Sequence, residues 1–180
     1  MKFNKISKKL AACSLAGVMM VSMTGMSVCA AGGVTGGTET SPITSVPVNK
    51  TVSAAENTYA PNTTFNFTVS TGVDNPGTWD GKEVKKGIAG GLAVVQGATF
   101  APNMDAATST TYTPTDANKA SLKTDATKFS VPGIYHYVVS EINGGYEGIT
   151  YDTTAYDVYV YVSAKLDAEN NATSNMYVSG

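Results

Sequence analysis

Two cysteines occur in 180 residues, Cys13 and Cys29, and both lie within the first thirty. The remainder of the chain has no thiol. That excludes a disulfide framework, a thiolate nucleophile and a cysteine-ligated metal there. One histidine, His136, has no Cys or His companion with which to hold a metal. Arginine is absent, so all twelve basic residues are lysines. After residue 30, eight lysines face fourteen acids, a net charge of −6. Such a balance offers no basic patch for nucleic acid or anionic lipid. No second apolar stretch follows the first thirty residues, so no membrane span is predicted beyond them.

What is present begins with an export signal. Residues 1–10 carry four lysines and no acid. The apolar, small-residue-rich run AACSLAGVMMVSMTGMSVCAA follows, with Val28-Cys29-Ala30 as an A-x-A-like cleavage site. Residues 1–30 are read as a secretory signal peptide, cut after Ala30 or Ala31. "LAAC" at 10–13 resembles a lipoprotein box, but the apolar run comes after it. Residues 31–45, rich in Gly, Thr and Ser, are read as a flexible lead-in. Residues 46–180, of ordinary size for one domain, are read as a β-sandwich.

The sandwich rests on period-two patterning. VPVNKTV (46–52), TFNFTVS (64–70), GIYHYVVSE (133–141) and YDVYVYVS (156–163) alternate and are rich in Val, Tyr, Phe and Thr. These are signatures of half-buried antiparallel strands. Asn75-Pro76-Gly77, Pro132-Gly133 and Asn143-Gly144-Gly145 supply turns. The middle is less defined, with a strand expected at 92–96 and a short helix within 116–129. The expected class is all-β, an immunoglobulin-like antiparallel sandwich. Its C-terminus reads as a strand end, a polar hairpin and a strand "NMYVSG" just beginning. The sandwich is therefore expected to lack its last strand and to expose an unpaired sheet edge.

Two charged residues break the pattern. Glu141 falls in phase with Tyr135, Tyr137 and Val139, and Lys50 with Val46, Val48 and Val52. By phase alone Glu141 could mark a strand end turning to solvent, and Lys50 could snorkel from an edge. If both point inward, the chemistry is specific. Burial favours the neutral amine, a nucleophile, and the protonated carboxyl, a hydrogen-bond donor. The pair suits attack of the amine on a side-chain carboxamide with loss of ammonia, giving an isopeptide bond.

On these motifs the chain resembles the pilin isopeptide linkage domain of Gram-positive surface pili, the family of the streptococcal major pilins. The motifs are a first-strand lysine, F-x-F, P-G-x-Y-x-Y-x-V-x-E and Y-D-x-x-x-Y-x-V-x-V, and they span about residues 46–163. The resemblance implies that Lys50 is the bond-forming lysine and Glu141 the catalytic acid. It implies an acceptor asparagine on the last strand. Asn170, Asn171 and Asn175 do not match that pattern, so the acceptor is expected beyond Gly180. Asp152 fits a structural role near the Glu141 strand.

Remaining candidates have bland readings. Asp74, Asn75 and Asp80 fit no calcium-loop spacing. Trp79 reads as a loop plug ahead of a stacking residue, and Tyr156, Tyr159 and Tyr161 serve cross-strand packing or a glycan-stacking face. No Ser-His-Asp, Cys-His, paired-carboxylate or phosphate-loop arrangement is present, and no cofactor is implied. The expected function is a secreted structural module, a pilus-shaft or cell-wall-attached subunit. Its chemistry would be one self-modification without turnover. An adhesin or glycan-binding module of the cell surface is the rival. Expected partners are other pilin or surface subunits and, with a downstream sorting signal, a sortase. A host or glycan ligand belongs to the rival.

Overall fold

The computed structural model describes residues 36–180 except 54, 56–58, 75, 80 and 102–110. The signal-peptide reading of 1–30, and Asn75 and Asp80, lie outside the described residues. Thirteen strands follow in chain order: β1 (Ser45–Val48), β2 (Val52–Ser53), β3 (Thr63–Phe65), β4 (Phe67–Ser70), β5 (Thr78–Trp79), β6 (Lys82–Lys86) and β7 (Leu92–Gln96), then β8 (Ala98–Phe100), β9 (Thr111–Tyr112), β10 (Ala120–Thr124), β11 (Gly133–Glu141), β12 (Ala155–Leu166) and β13 (Ala172–Val178). The class is all-β, as the alternating runs predict. β7 coincides with the strand expected at 92–96. The short helix expected within 116–129 is instead β10 between two 3-10 turns, Asp116–Asn118 and Ala126–Lys128. Ala120 and Leu122 alternate into the core there, and that period-two burial overrides the local helical composition.

Two sheets form the sandwich. The smaller has the order β1–β10–β7; the larger runs β13–β12–β11–β6–β5, with β4 also paired to β11. Between them lie Val48, Leu92 and Leu122 from one side, and Tyr135, Tyr137, Val139, Val160, Val162 and Val178 from the other. Two of the alternating runs split, one half of each joining a separate two-stranded sheet, β3–β8 or β2–β9. Phe65 in β3 pairs with Ala98, whereas Phe67 in β4 pairs with Glu141 on β11. The first run likewise splits, β1 pairing with β10 and β2 with β9. Lys50 sits in the gap between those halves.

The central strand β11 is covered on both faces. On its inner face Tyr135, Tyr137 and Val139 are buried, and on its outer face so are Ile134 and His136. On that face Val84 of the neighbouring parallel strand β6 stands in register with Ile134, and Trp79 stacks on Tyr159 at 4.7 Å. His136 lies against that same Tyr159 ring and bonds Asp157 through Nε2 at 2.9 Å. A one-face-in reading of the strand misses this, because the covering hairpin comes from a distant part of the chain.

Residues 36–44, part of the expected flexible lead-in, are held in place. Ile43 is buried, its N–H donates to Val178 O at 3.0 Å, and Gly37 N–H donates to Ser179 O. Thr124 in turn donates to the carbonyls of Ile43 and Thr44. One apolar anchor and sheet-edge hydrogen bonds thus outweigh a Gly/Thr/Ser composition. The expected open edge is correspondingly occupied at Val178 and Ser179 by this segment. The terminal strand begins at Ala172, three residues before Asn175, and pairs with β12 through Met176 and Val178.

Tyr137 ties the core to the loop before β7. Its hydroxyl donates to Ile88 O at 2.9 Å and accepts from Ile88 N–H at 3.0 Å. Gly87 and Gly91 leave room for the ring, since a Cβ at either would collide with Tyr137. Burial raises the Tyr137 phenol pKa above its ordinary value, keeping the donor protonated. A Tyr137→Phe substitution leaves the Ile88 N–H unsatisfied, while Ile88 O keeps the Gly91 N–H as donor, and is expected to cost about 1–3 kcal/mol. The measurement is a lowered urea midpoint with an unchanged slope, and an unaltered midpoint would contradict it.

Candidate functional site

The site forms where the split first run meets the end of β11. Burial alternates through that run, with Val48, Lys50 and Val52 inside and Asn49 exposed, although the ladder is interrupted at Lys50. Lys50 is only 2 % exposed and the side chain of Glu141 is wholly buried. Lys50 Nζ stands 2.9 Å from Glu141 Oε2. Both residues singled out by strand phase are therefore inward, and they touch across 91 positions of sequence.

The surroundings are aromatic. Lys50 Nζ lies 4.4 Å from the centroid of the Phe65 ring, within cation–π range. Phe65 is fixed edge-on by Phe100 at 5.4 Å and by the tilted ring of Tyr151 at 5.6 Å. Glu141 Oε2 has a second donor, the Asp152 backbone N–H at 3.3 Å. Its other oxygen, Oε1, is buried and makes no hydrogen bond among the described residues. A buried carboxylate oxygen without a donor is uncommon, because desolvation is then uncompensated. Among the described residues no carboxamide is hydrogen-bonded to Lys50 or Glu141. Asn170, Asn171 and Asn175 are exposed on the β12–β13 hairpin and on β13.

A chain comparison adds one finding. The family model described as FctA, Spy0128-like isopeptide containing domain, matches residues 46–178. The chain belongs to the FctA family. It is thus a pilin-type isopeptide domain, a structural module. No curated protein and no solved structure matches the chain. The FctA match spans both halves of the sandwich, from β1 to the end of β13.

Behind the pair, the FctA chain's Tyr151-Asp152…Tyr156 motif builds a support. The Tyr156 hydroxyl donates to Asp152 Oδ2 at 2.6 Å and Thr154 N–H donates to Oδ1 at 2.8 Å. These bonds orient the Asp152 backbone, whose N–H reaches Glu141. Burial by itself would raise the Asp152 pKa. The donors from Tyr156 and Thr154, with the nearby Lys50 charge, outweigh it and hold the carboxyl below its ordinary value. Asp152 thus has the structural placement expected of it. The Phe65 wall and the Asp152 N–H have no counterpart in the sequence reading. F-x-F and Y-D-x-x-x-Y mark the positions but carry no signal of which residue touches the amine.

The other sequence candidates lie elsewhere. His136 is 5 % exposed on the outer face of β11, away from the Lys50–Glu141 contact. Among the described residues no group of His, Cys, Asp or Glu is arranged to hold a metal. Trp79 stacks on Tyr159 and so packs the outer face instead of plugging a loop. Lys86, in register with His136, forms an exposed pair with Asp74.

Three outcomes are expected from this geometry. Glu141→Ala strands a buried amine and should cost about 3–5 kcal/mol in an unbonded chain, more than Glu141→Gln, by urea denaturation. Asp152 carries a depressed folded pKa, so its contribution to stability is present above the unfolded value near 4 and fades as pH falls through the folded one. Tyr156→Phe should raise the Asp152 pKa in a carboxyl NMR titration. An unchanged titration would separate the two side chains.

Proposed function

We propose that this FctA chain is a secreted structural subunit of the bacterial surface, a pilus-shaft or cell-wall-attached protein. Its domain is locked by an intramolecular bond between Lys50 and an asparagine carboxamide, with Glu141 as the acid. The observation that supports the reading most is the buried 2.9 Å contact between Lys50 Nζ and Glu141 Oε2. No thiol is available after residue 30 to supply a disulfide instead.

The chemistry follows from the pair's setting. Separated charges are costly in an apolar pocket, and a proton shift along the contact converts ammonium and carboxylate into amine and carboxylic acid. The free amine then attacks the carboxamide carbon, forming the new C–N bond. Glu141 hydrogen-bonds the carbonyl oxygen as charge develops there. The surplus amine proton passes through Glu141 to the departing amide nitrogen, which leaves as ammonia, and Glu141 ends unchanged. Glu141 Oε1, without a donor among the described residues, is suited to receive the carboxamide N–H. The acceptor is proposed to lie beyond Gly180.

A bond from Lys50 to a later strand would carry tension along covalent atoms instead of through strand hydrogen bonds. It would also restrict the unfolded chain as a disulfide does. The reaction happens once per molecule, so the protein is not a turnover enzyme. Partners of this reading are other pilin or surface subunits, joined by a sortase where a sorting signal follows. The rival binding-module reading has less support, because the Tyr159 ring is already stacked with Trp79 and His136.

Intact mass decides it. The full-length protein purified from its native host should be lighter than its sequence by one ammonia per bond, after removal of the leader. Lys50→Arg and Glu141→Gln variants should keep the full mass. A wild-type protein with no deficit, or variants with the same deficit assigned by peptide mapping to position 50, would sink the proposal.

A further inference from the structure

We propose that Asn143 is a second ammonia-releasing site, independent of Lys50, where the chain cyclises on itself to a succinimide. Asn143-Gly144-Gly145 lies in the β11–β12 connection, two residues after Glu141. Asn143 is the one asparagine in the sequence followed by glycine. Without a side chain, the Gly144 amide can approach the preceding carboxamide carbon unhindered.

The folded loop adds three features. Asn143 and Gly144 are both exposed to water. The Gly144 N–H makes no hydrogen bond among the described residues, so the attacking nitrogen is not engaged in a ladder. The Gly145 N–H donates to Asn143 Oδ1 at 2.9 Å. That contact folds the side chain back over its own backbone and polarises the carbonyl. It also aims a donor at the oxygen on which negative charge develops during attack, the logic of an oxyanion hole. Gly145 reaches this position with φ +69°, a conformation that favours glycine. The Tyr146 N–H to Tyr151 hydroxyl bond, 3.2 Å, holds the following residue.

The step balances without an oxidant. Water-borne base removes the Gly144 amide proton, and the nitrogen bonds to Asn143 Cγ. The oxyanion at Oδ1 collapses, breaking the Cγ–Nδ2 bond, and Nδ2 takes a proton from water and leaves as ammonia. Water then opens the ring at either carbonyl, leaving an aspartyl or an isoaspartyl linkage at position 143. The product places a new negative charge two residues from Glu141. The isoaspartyl form also adds a backbone carbon to the loop that carries Asp152.

The test uses the full chain in mildly alkaline buffer, sampled over time. A protease that cleaves after glutamate frees the peptide 142–147 for chromatography and mass analysis, beside a synthetic peptide of the same residues. Expected are a transient species lighter by one ammonia, then two hydrolysed isomers, formed in the folded chain no more slowly than in the free peptide. Asn143→Gln should abolish all three, while Lys50→Arg should leave them unchanged. A folded chain that stays unmodified, or reacts more slowly than the peptide, overturns the proposal. Loss of the products in Lys50→Arg would do the same. The peptide readout is separate from any deficit at position 50, so this inference and the Lys50 bond can fail independently.

Discussion

The buried contact between Lys50 and Glu141 constrains the rest of this molecule. Removing two charges from water costs several kcal/mol for each ion, and their attraction offsets this only with good geometry and further donors. A fold that keeps both side chains almost fully inside must therefore be organised around them. The first run breaks its ladder at Lys50, between β1 and β2, and the amine reaches the end of β11. The second run crosses between sheets at Asn66. That crossing sets Phe65 against the amine while Phe67 pairs with Glu141 itself.

Support reaches the pair from behind through short, local bonds. Tyr156 and Thr154 fix the Asp152 carboxylate, and the Asp152 N–H fixes Glu141. A charged group is thus positioned by a backbone donor, which cannot rotate away as a side chain can. Oε1, without a hydrogen bond among the described residues, contrasts with this care. Every other polar atom named around the pair has a donor or acceptor. The outer face of β11 plays no part in the contact. His136, Tyr159 and Trp79 pack against one another there.

Much of the site was legible because strand phase is a local property. Side chains alternate in any β-strand, so a lysine and a glutamate in phase with valines and tyrosines must point inward or mark a strand end. Phase could not choose between those outcomes, and the resemblance to the pilin domains tilted the choice. The lead-in shows the limit of composition. Composition averages over a segment, whereas Ile43 alone anchors residues 36–44 to β13 and β10. The helix expected within 116–129 failed because β10 is made by its neighbours, β1 and β7, and not by its own propensities.

By itself, the sequence determined the all-β class, the phase that Lys50 and Glu141 share with core residues, the lack of any thiol after residue 30, and the family. All of these follow from patterns a few residues long or from composition. Tertiary structure alone decided that the two charges meet, since 91 residues separate them and only the pairing of strands brings them to 2.9 Å. It also decided that Phe65 walls the amine, that Asp152 lends its N–H instead of its carboxylate, and that both faces of GIYHYVVSE are covered. Those are contacts between distant segments, fixed by sheet order and register, which no local pattern encodes.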